Sequence, residues 1–116
     1  MKRLLIFIMG EPVLKCHTAA EYLAFEKTSQ TKHEFYKGEI FDTDGASFKH
    51  NQIQTNFVGE VRAFLKGRPC DVFGSDLRIH IPSNTLYTYP DAIIICGKPQ
   101  LPDDEFDTVL NPSVIA

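Results

Sequence analysis

The segment from Asp91 to Cys96 constrains the fold of this 116-residue chain more than any other part of its sequence. Asp91 is followed by an almost continuously apolar run, and it is preceded by Tyr89 and Pro90. A short strand that is apolar on both faces is typical of the centre of a sheet with other elements packed on each side. We therefore predict that Tyr89-Pro90-Asp91 opens a buried central strand.

A helix and a β-hairpin are predicted ahead of residue 42. Thr18 and Glu21 have the spacing of a capping box, and the residues behind them suit a short amphipathic helix that ends near Thr28. Between residues 33 and 41, aromatic and β-branched side chains flank Lys37-Gly38. Glycine can supply the positive φ that a tight hairpin turn requires, so this segment is predicted to form a hairpin.

A second helix is predicted from about His50 to Lys66, and Gly67 and Pro69 are expected to end it. Its apolar residues recur at helical spacing, which indicates one stripe that faces the core. The residues of this predicted core stripe are Ile53, Phe57, Val61 and Phe64 or Leu65.

Charge and cysteine content limit the classes of function. The formal net charge of −3 argues against a protein that coats nucleic acid through bulk positive charge, although a local positive groove would suffice for a nuclease. The three cysteines, Cys16, Cys70 and Cys96, are widely spaced and include no C-x-x-C pair. Reduced thiols in a cytoplasmic protein are therefore expected rather than a disulfide framework or a zinc site.

We predict one domain over residues 18–116, preceded by an N-terminal extension of uncertain structure over residues 1–17. Its apolar run from Leu4 to Met9 is too short for a membrane span, and no small-residue cleavage site of a signal peptide follows. An edge strand and extra residues upstream of a true start at Met9 both remain open. No membrane partner is expected.

Asp91 is the strongest candidate for a catalytic carboxylate. A strand can hold a functional group rigidly at its mouth, and oxygen ligands suit a hard cation such as magnesium. Such a cation polarises phosphate and activates water. The alternative is an aspartate that merely caps a turn after Pro90.

Two further groups of polar residues are candidates for the same site. Asp76, Arg78 and His80 alternate with Leu77, Ile79 and Ile81, which predicts a strand with one polar and one apolar face. On that face Asp76 would lie near a metal, and Arg78 would pair with phosphate oxygens. An ordinary solvated strand face with an ion pair is the alternative.

Glu34 on the hairpin and His50 near the start of the second helix form the last pair of candidates. Together they could reach a common cleft, where a histidine can transfer protons near neutral pH. A purely structural role for both is equally compatible with the sequence.

Several catalytic signatures are absent: the P-loop, the Rossmann G-x-G-x-x-G, H-E-x-x-H and G-x-S-x-G.

The order and spacing of several short motifs resemble the Uma-type family of restriction endonucleases over residues 18–116. The motifs before the second helix are Glu21-Tyr22-Leu23, Lys32-His33-Glu34-Phe35 with Gly38-Glu39-Ile40, Gly45-Ala46-Ser47 and His50-Asn51. Those after it are Gly67-Arg68-Pro69-Cys70-Asp71-Val72-Phe73, Ser75-Asp76-Leu77-Arg78, Tyr87-Thr88-Tyr89-Pro90-Asp91 and Asn111-Pro112-Ser113-Val114-Ile115.

The resemblance implies an α+β fold of the restriction-endonuclease type, with a mixed sheet flanked by helices, as in the PD-(D/E)xK nuclease superfamily. It also implies hydrolysis of DNA phosphodiester bonds with magnesium or manganese, and a homodimer. Asp91 matches the aspartate of the PD half, while Glu34 and His50 match recurrent family positions. By this resemblance Asp91 is the expected metal ligand, and Asp76 or Glu34 could supplement it.

One departure from the family pattern concerns the second metal carboxylate. In the family, the strand that starts at Val114-Ile115 continues to a glutamate, whereas this sequence ends at Ala116. A C-terminally truncated nuclease with a weakened metal site is therefore expected. The alternative function is a non-catalytic module of nuclease ancestry that binds nucleic acid or mediates association.

Overall fold

A computed structural model of the protein describes residues 16–43, 45–102 and 107–116. Within them are two α-helices, α1 (Ala19–Thr28) and α2 (Phe48–Leu65). The strands are β1 (His33–Tyr36), β2 (Glu39–Asp42), β3 (Cys70–Phe73), β4 (Arg78–Ile81), β5 (Leu86–Thr88), β6 (Ile93–Cys96), β7 (Thr108–Val109) and β8 (Val114–Ile115). Predictions for residues 1–15 and for the acidic residues 103–106 lie outside the described part.

The α+β class is confirmed. Most strand pairs are antiparallel, but β4 and β7 run parallel, so the strands form a mixed arrangement. The described residues form two compact units. The first comprises residues 16–43 and 81–88, and the second comprises residues 45–80, 89–102 and 107–116.

In the first unit, the predicted helix and hairpin both form as expected. Thr18 Oγ1 accepts the Glu21 N–H at 3.1 Å, and Glu21 Oε1 accepts the Thr18 N–H at 2.9 Å, so the capping box is complete. Lys37 and Gly38 both have positive φ, 49° and 83°, between the paired residues Tyr36 and Glu39. Both central residues of this two-residue turn therefore have the φ values that match the twist of a hairpin.

An aromatic cluster forms the core of the first unit. The Tyr22 ring lies 5.1 Å from the Phe35 ring and 5.2 Å from the Tyr87 ring, measured between centroids. The Tyr22 hydroxyl donates to the His33 carbonyl oxygen at 2.5 Å, so its polar end is satisfied although the side chain is fully buried. This cluster joins α1 to β1 and β5.

In the second unit, β6 is the middle strand of a three-stranded sheet, between β3 and β8. Ile93 and Ile95 are buried, and they pair with Phe73 and Asp71 of β3. The predicted central position is confirmed, but the strand is buried on one face only, because Ile94 is half-buried and Cys96 is exposed. No helix of the described residues is long and apolar enough to span a membrane.

The predicted core stripe of α2 is wrong for Ile53 and Phe57. Of the two alternatives at its end, Phe64 is wrong, whereas Leu65 is half-buried like Val61. Ile53, Phe57 and Phe64 are 60%, 45% and 67% exposed. The half-buried face contains Gln54, Val58, Val61 and Leu65, and α2 packs against β3. The helical period is correct, but periodicity alone leaves open which of two adjacent apolar rows meets a neighbour. In α2 the row that begins at Gln54 is more buried than the predicted row that begins at Ile53.

The prediction of reduced thiols is also wrong for two of the three cysteines. Cys70 and Cys96 form a disulfide, while Cys16 is free and exposed. The two residues lie directly opposite each other in the β3–β6 register. The antiparallel pairing brings the two side chains close enough for their Sγ atoms to bond, which their separation of 26 residues in the chain does not reveal.

Replacing Cys70 and Cys96 together by serine is expected to lower the free energy of unfolding by about 3 kcal/mol. The bond closes a loop that otherwise adds conformational entropy to the unfolded chain. Urea unfolding of the double variant against a Cys16→Ser control measures the effect. Peptide mapping without reductant should recover the linked peptides, and a map with three free thiols would contradict the pairing.

Candidate functional site

The Asp91 side chain lies beside the first turn of α2, just ahead of β6. Asp91 Oδ1 is 3.2 Å from His50 Nε2, and both side chains are about half exposed. One helical turn after His50, the Gln54 side-chain amide donates to the Asp91 carbonyl oxygen at 2.7 Å. The first two turns of α2 therefore hold both the side chain and the main chain of Asp91.

The start of α2 is fixed by its own cap. Ser47 Oγ accepts the His50 N–H at 3.0 Å, and this satisfies one of the amides that a helix start leaves without an intrahelical partner. The serine thereby determines where the helix begins and which way His50 projects.

The strand side of the site is fixed by main-chain pairing. Ala92 donates to the Ala116 carbonyl oxygen at 3.3 Å, and Ala116 donates back to the Ala92 carbonyl oxygen at 2.9 Å. Ala92 is buried, and β6 begins with the buried Ile93. Asp91 is thus the last polar residue before the buried strand, as its position in the sequence predicts.

Arg78 is buried, which corrects the predicted polar strand face. The strand begins at Arg78, with Asp76 in the preceding turn, and the Arg78 side chain is only 6% exposed. Its Nε donates to Thr108 Oγ1 at 2.8 Å, and its Nη1 donates to the Tyr89 hydroxyl at 3.2 Å. The predicted polar face is wrong because the side of β4 that carries Arg78 is covered, as is the side that carries Ile79.

Another contact of the Arg78 guanidinium is to a carboxylate. Nη2 lies 3.1 Å from Asp107 Oδ1, and the Asp107 side chain is 73% exposed. Phosphate binding by Arg78 stays a prediction. A phosphate oxygen that reached the guanidinium would take the place of the exposed Asp107 carboxylate.

Arg78→Ala is expected to lower the free energy of unfolding by about 3 kcal/mol, because it removes several bonds to a charged, buried group and leaves a cavity. Asp107→Asn is expected to cost less than about 1 kcal/mol, since that carboxylate is exposed. Urea unfolding measures both variants. Equal stability of Arg78→Ala and the parent would contradict a structural role for the arginine.

Glu34 belongs to the first unit, where it lies on β1. The Thr88 hydroxyl donates to the Glu34 carboxylate. Its assignment to the catalytic site stays a prediction. Among the described residues, no group of three or more His, Cys, Asp and Glu side chains could hold a metal ion.

The sequence pattern singles out His50 and Asp91 separately. It does not reveal the contact between them or the contact of Gln54 with Asp91. His50 and Gln54 are 41 and 37 positions from Asp91 in the chain, and no local pattern links them to it. The only signal is the helical spacing of His50 and Gln54, which puts both side chains on one side of α2.

Comparison with known proteins identifies relatives over most of the chain. The model of the Uma2 family, described as "Putative restriction endonuclease", matches residues 19–116. The uncharacterized protein sll1609 of Synechocystis sp. is 38% identical over 102 residues, which cover 88% of this chain and 58% of that protein.

A second relative from the same organism is the uncharacterized protein slr1290. It is 32% identical over 103 residues, which cover 83% of this chain and 54% of that protein. The chain thus spans just over half the length of the curated relatives it matches. No solved structure matches it significantly.

Proposed function

The chain belongs to the Uma2 family, and from this membership we propose that it carries a divalent-metal site for hydrolysis of DNA phosphodiester bonds, with Asp91 as its main carboxylate. One observation of the structure supports the proposal more than any other. The Asp91 carboxylate is presented to solvent at the mouth of a buried strand while α2 holds it in place. A rigidly held, accessible carboxylate is what a catalytic metal site requires.

The donor set fits a site with few protein ligands. Magnesium is commonly bound by one or two carboxylates together with phosphate oxygens and water, and Asp91 supplies one such carboxylate. When bound, the cation would supply Lewis-acid polarisation of the phosphate and activation of water. In a longer chain with β8 continued in register, the residue after Ala116 would pair with Asp91, where the family resemblance expects a second carboxylate.

The proposed roles of the chain's own residues follow from their contacts. Asp91 holds the cation, and Gln54 keeps the Asp91 main chain in place. His50 stands within reach of the same carboxylate oxygen and is proposed as a catalytic residue beside Asp91. Asp76, in the exposed turn before β4, is proposed as a supplementary ligand, Glu34 as a further catalytic residue and Arg78 as the phosphate contact.

DNA is the proposed substrate, the cytoplasm the proposed location, and magnesium or manganese the proposed cofactor. A homodimer is proposed because a small nuclease that cuts both strands commonly uses two active sites. The dimer rests on analogy with such nucleases.

A non-catalytic association or nucleic-acid-binding module is the second candidate function. The exposed apolar residues of α2 favour it, since large apolar groups on one helix face are typical of interaction surfaces.

A plasmid-nicking assay separates the two functions. Conversion of supercoiled to open-circular DNA with magnesium or manganese, and its loss with a chelator, is expected of the nuclease. Retarded migration of the DNA without any nicking would support the binding module and overturn the proposed hydrolysis.

A further inference from the structure

His50 and Asp91 bring an imidazole nitrogen and a carboxylate oxygen to one point on the surface. We propose that these two atoms chelate one divalent transition-metal ion of borderline softness, such as nickel, cobalt or zinc. The inference rests on the proposed function, because it deepens that metal site: it names the second protein ligand and the class of cation that the site prefers.

The separation of the two donor atoms suits a shared cation. Two donors that bind one ion at about 2.1 Å lie about 3.0 Å apart at right angles and about 3.4 Å apart at a tetrahedral angle. His50 Nε2 and Asp91 Oδ1 are 3.2 Å apart, between these two values. A cation can therefore replace the hydrogen bond between them with little movement of either side chain.

The main chains of both ligands are held by other contacts. The His50 N–H donates to Ser47 Oγ, and Gln54 donates to the Asp91 carbonyl oxygen rather than to its carboxylate. These contacts leave the His50 imidazole and the Asp91 carboxylate available to a cation. Because only the two side chains remain to be ordered, the loss of conformational entropy on binding is reduced.

The ligand types determine which cation is preferred. Imidazole suits zinc, nickel, copper and iron, and manganese accepts it beside carboxylate oxygens, whereas magnesium prefers oxygen ligands and gives up its water reluctantly. An imidazole and one carboxylate therefore favour a transition metal over magnesium. With His50 as the second protein ligand, the metal site at α2 does not require Asp76 as a ligand.

Exposure and charge then point to a phosphate as the remaining ligand. The His50 and Asp91 side chains are 45% and 55% exposed, which leaves several positions of a bound ion open to water. One carboxylate offsets only half the charge of a divalent ion. The remaining positive charge would attract the single negative charge of a DNA phosphodiester.

Binding of Mn²⁺ to the untagged chain without DNA tests the chelate directly. Loss of the electron paramagnetic resonance signal of free Mn²⁺ gives the affinity and the number of sites. We expect one Mn²⁺ site, at His50 and Asp91. The bound ion should broaden the nuclear magnetic resonance signals of the His50 ring. His50→Ala and Asp91→Asn should each weaken Mn²⁺ binding by at least about 10-fold.

Two further variants separate chelation from a structural contact. His50→Gln can keep a hydrogen bond to Asp91 but lacks the imidazole, so its Mn²⁺ affinity should fall as far as that of His50→Ala. His17→Ala is the matched control, because His17 also lies near a carboxylate, that of Glu21, at 3.8 Å. It should bind Mn²⁺ like the parent, and unchanged binding in His50→Gln would overturn the proposal.

The nicking and binding experiments distinguish a failure of the proposed chelate from a failure of the proposed nuclease. Plasmid nicking with no dependence of Mn²⁺ affinity on His50 would overturn the chelate and leave the nuclease standing. Mn²⁺ binding that depends on His50, without nicking by any metal, would leave the chelate standing and overturn the nuclease. Equal affinity for Ni²⁺ and Mg²⁺ would overturn the preference for a transition metal.

Discussion

Asp91→Asn is expected to reduce metal-dependent plasmid nicking by at least about 100-fold, the scale seen when a group that stabilises a developing charge is removed. The substitution keeps the size of the side chain, and its amide oxygen can still accept from His50 Nε2. It removes the negative charge that the proposed cation requires. The initial rate of open-circle formation at saturating metal, for purified parent and variant, measures the effect.

Asp71→Asn is the matched control for this experiment. Asp71 is an exposed aspartate in β3, the strand next to β6, and it pairs with Ile95 rather than with the site. Its nicking rate should equal that of the parent, and the unfolding curves of all three proteins should coincide. A nicking rate for Asp91→Asn close to the parent rate would show that the activity comes from another site or from a contaminant.

Tyr22→Ala is expected to lower the free energy of unfolding by about 4 kcal/mol, as truncation of a large buried aromatic typically does. The Tyr22 ring is fully buried against Phe35 and Tyr87, and α1, β1 and β5 meet at this cluster. A chain of this size has roughly 5–15 kcal/mol to lose, so the variant should be largely unfolded at moderate urea. Urea unfolding followed by circular dichroism measures the loss.

Two companion variants divide this effect into its parts. Tyr22→Phe keeps the ring but removes the hydroxyl that donates to the His33 carbonyl oxygen, and it should cost about 1 kcal/mol. Phe48→Ala removes an aromatic ring that is 84% exposed, and it should cost less than about 0.5 kcal/mol. Similar losses for Tyr22→Ala and Phe48→Ala would contradict the aromatic core.

Local structure was largely predictable from the sequence. The capping box at Thr18 and Glu21, the turn at Lys37-Gly38 and the central strand behind Asp91 all formed as expected. Each depends on interactions within a few residues: a side chain that caps its own helix, a glycine that adopts positive φ, an apolar run that avoids water. Such interactions are encoded where they occur.

The errors arose where the outcome depends on a distant partner. The α2 period was right, yet the tertiary structure decided that Val58 and Val61 are less exposed than Phe57 and Phe64. The Arg78 side chain alternates as a surface residue would, but β7 and Tyr89 cover it. Burial is a property of the assembled layers, and a polar side chain can be buried when it finds partners there.

The same division holds for the candidate site. The sequence pattern predicts that Asp91 stands at the mouth of an apolar strand and that His50 stands near a helix start, because both features are local. Only the folded chain shows that the two side chains meet, and that Cys70 meets Cys96. Contacts between residues 26 or 41 positions apart depend on strand register and on the packing of α2 against the sheet, which no local pattern specifies.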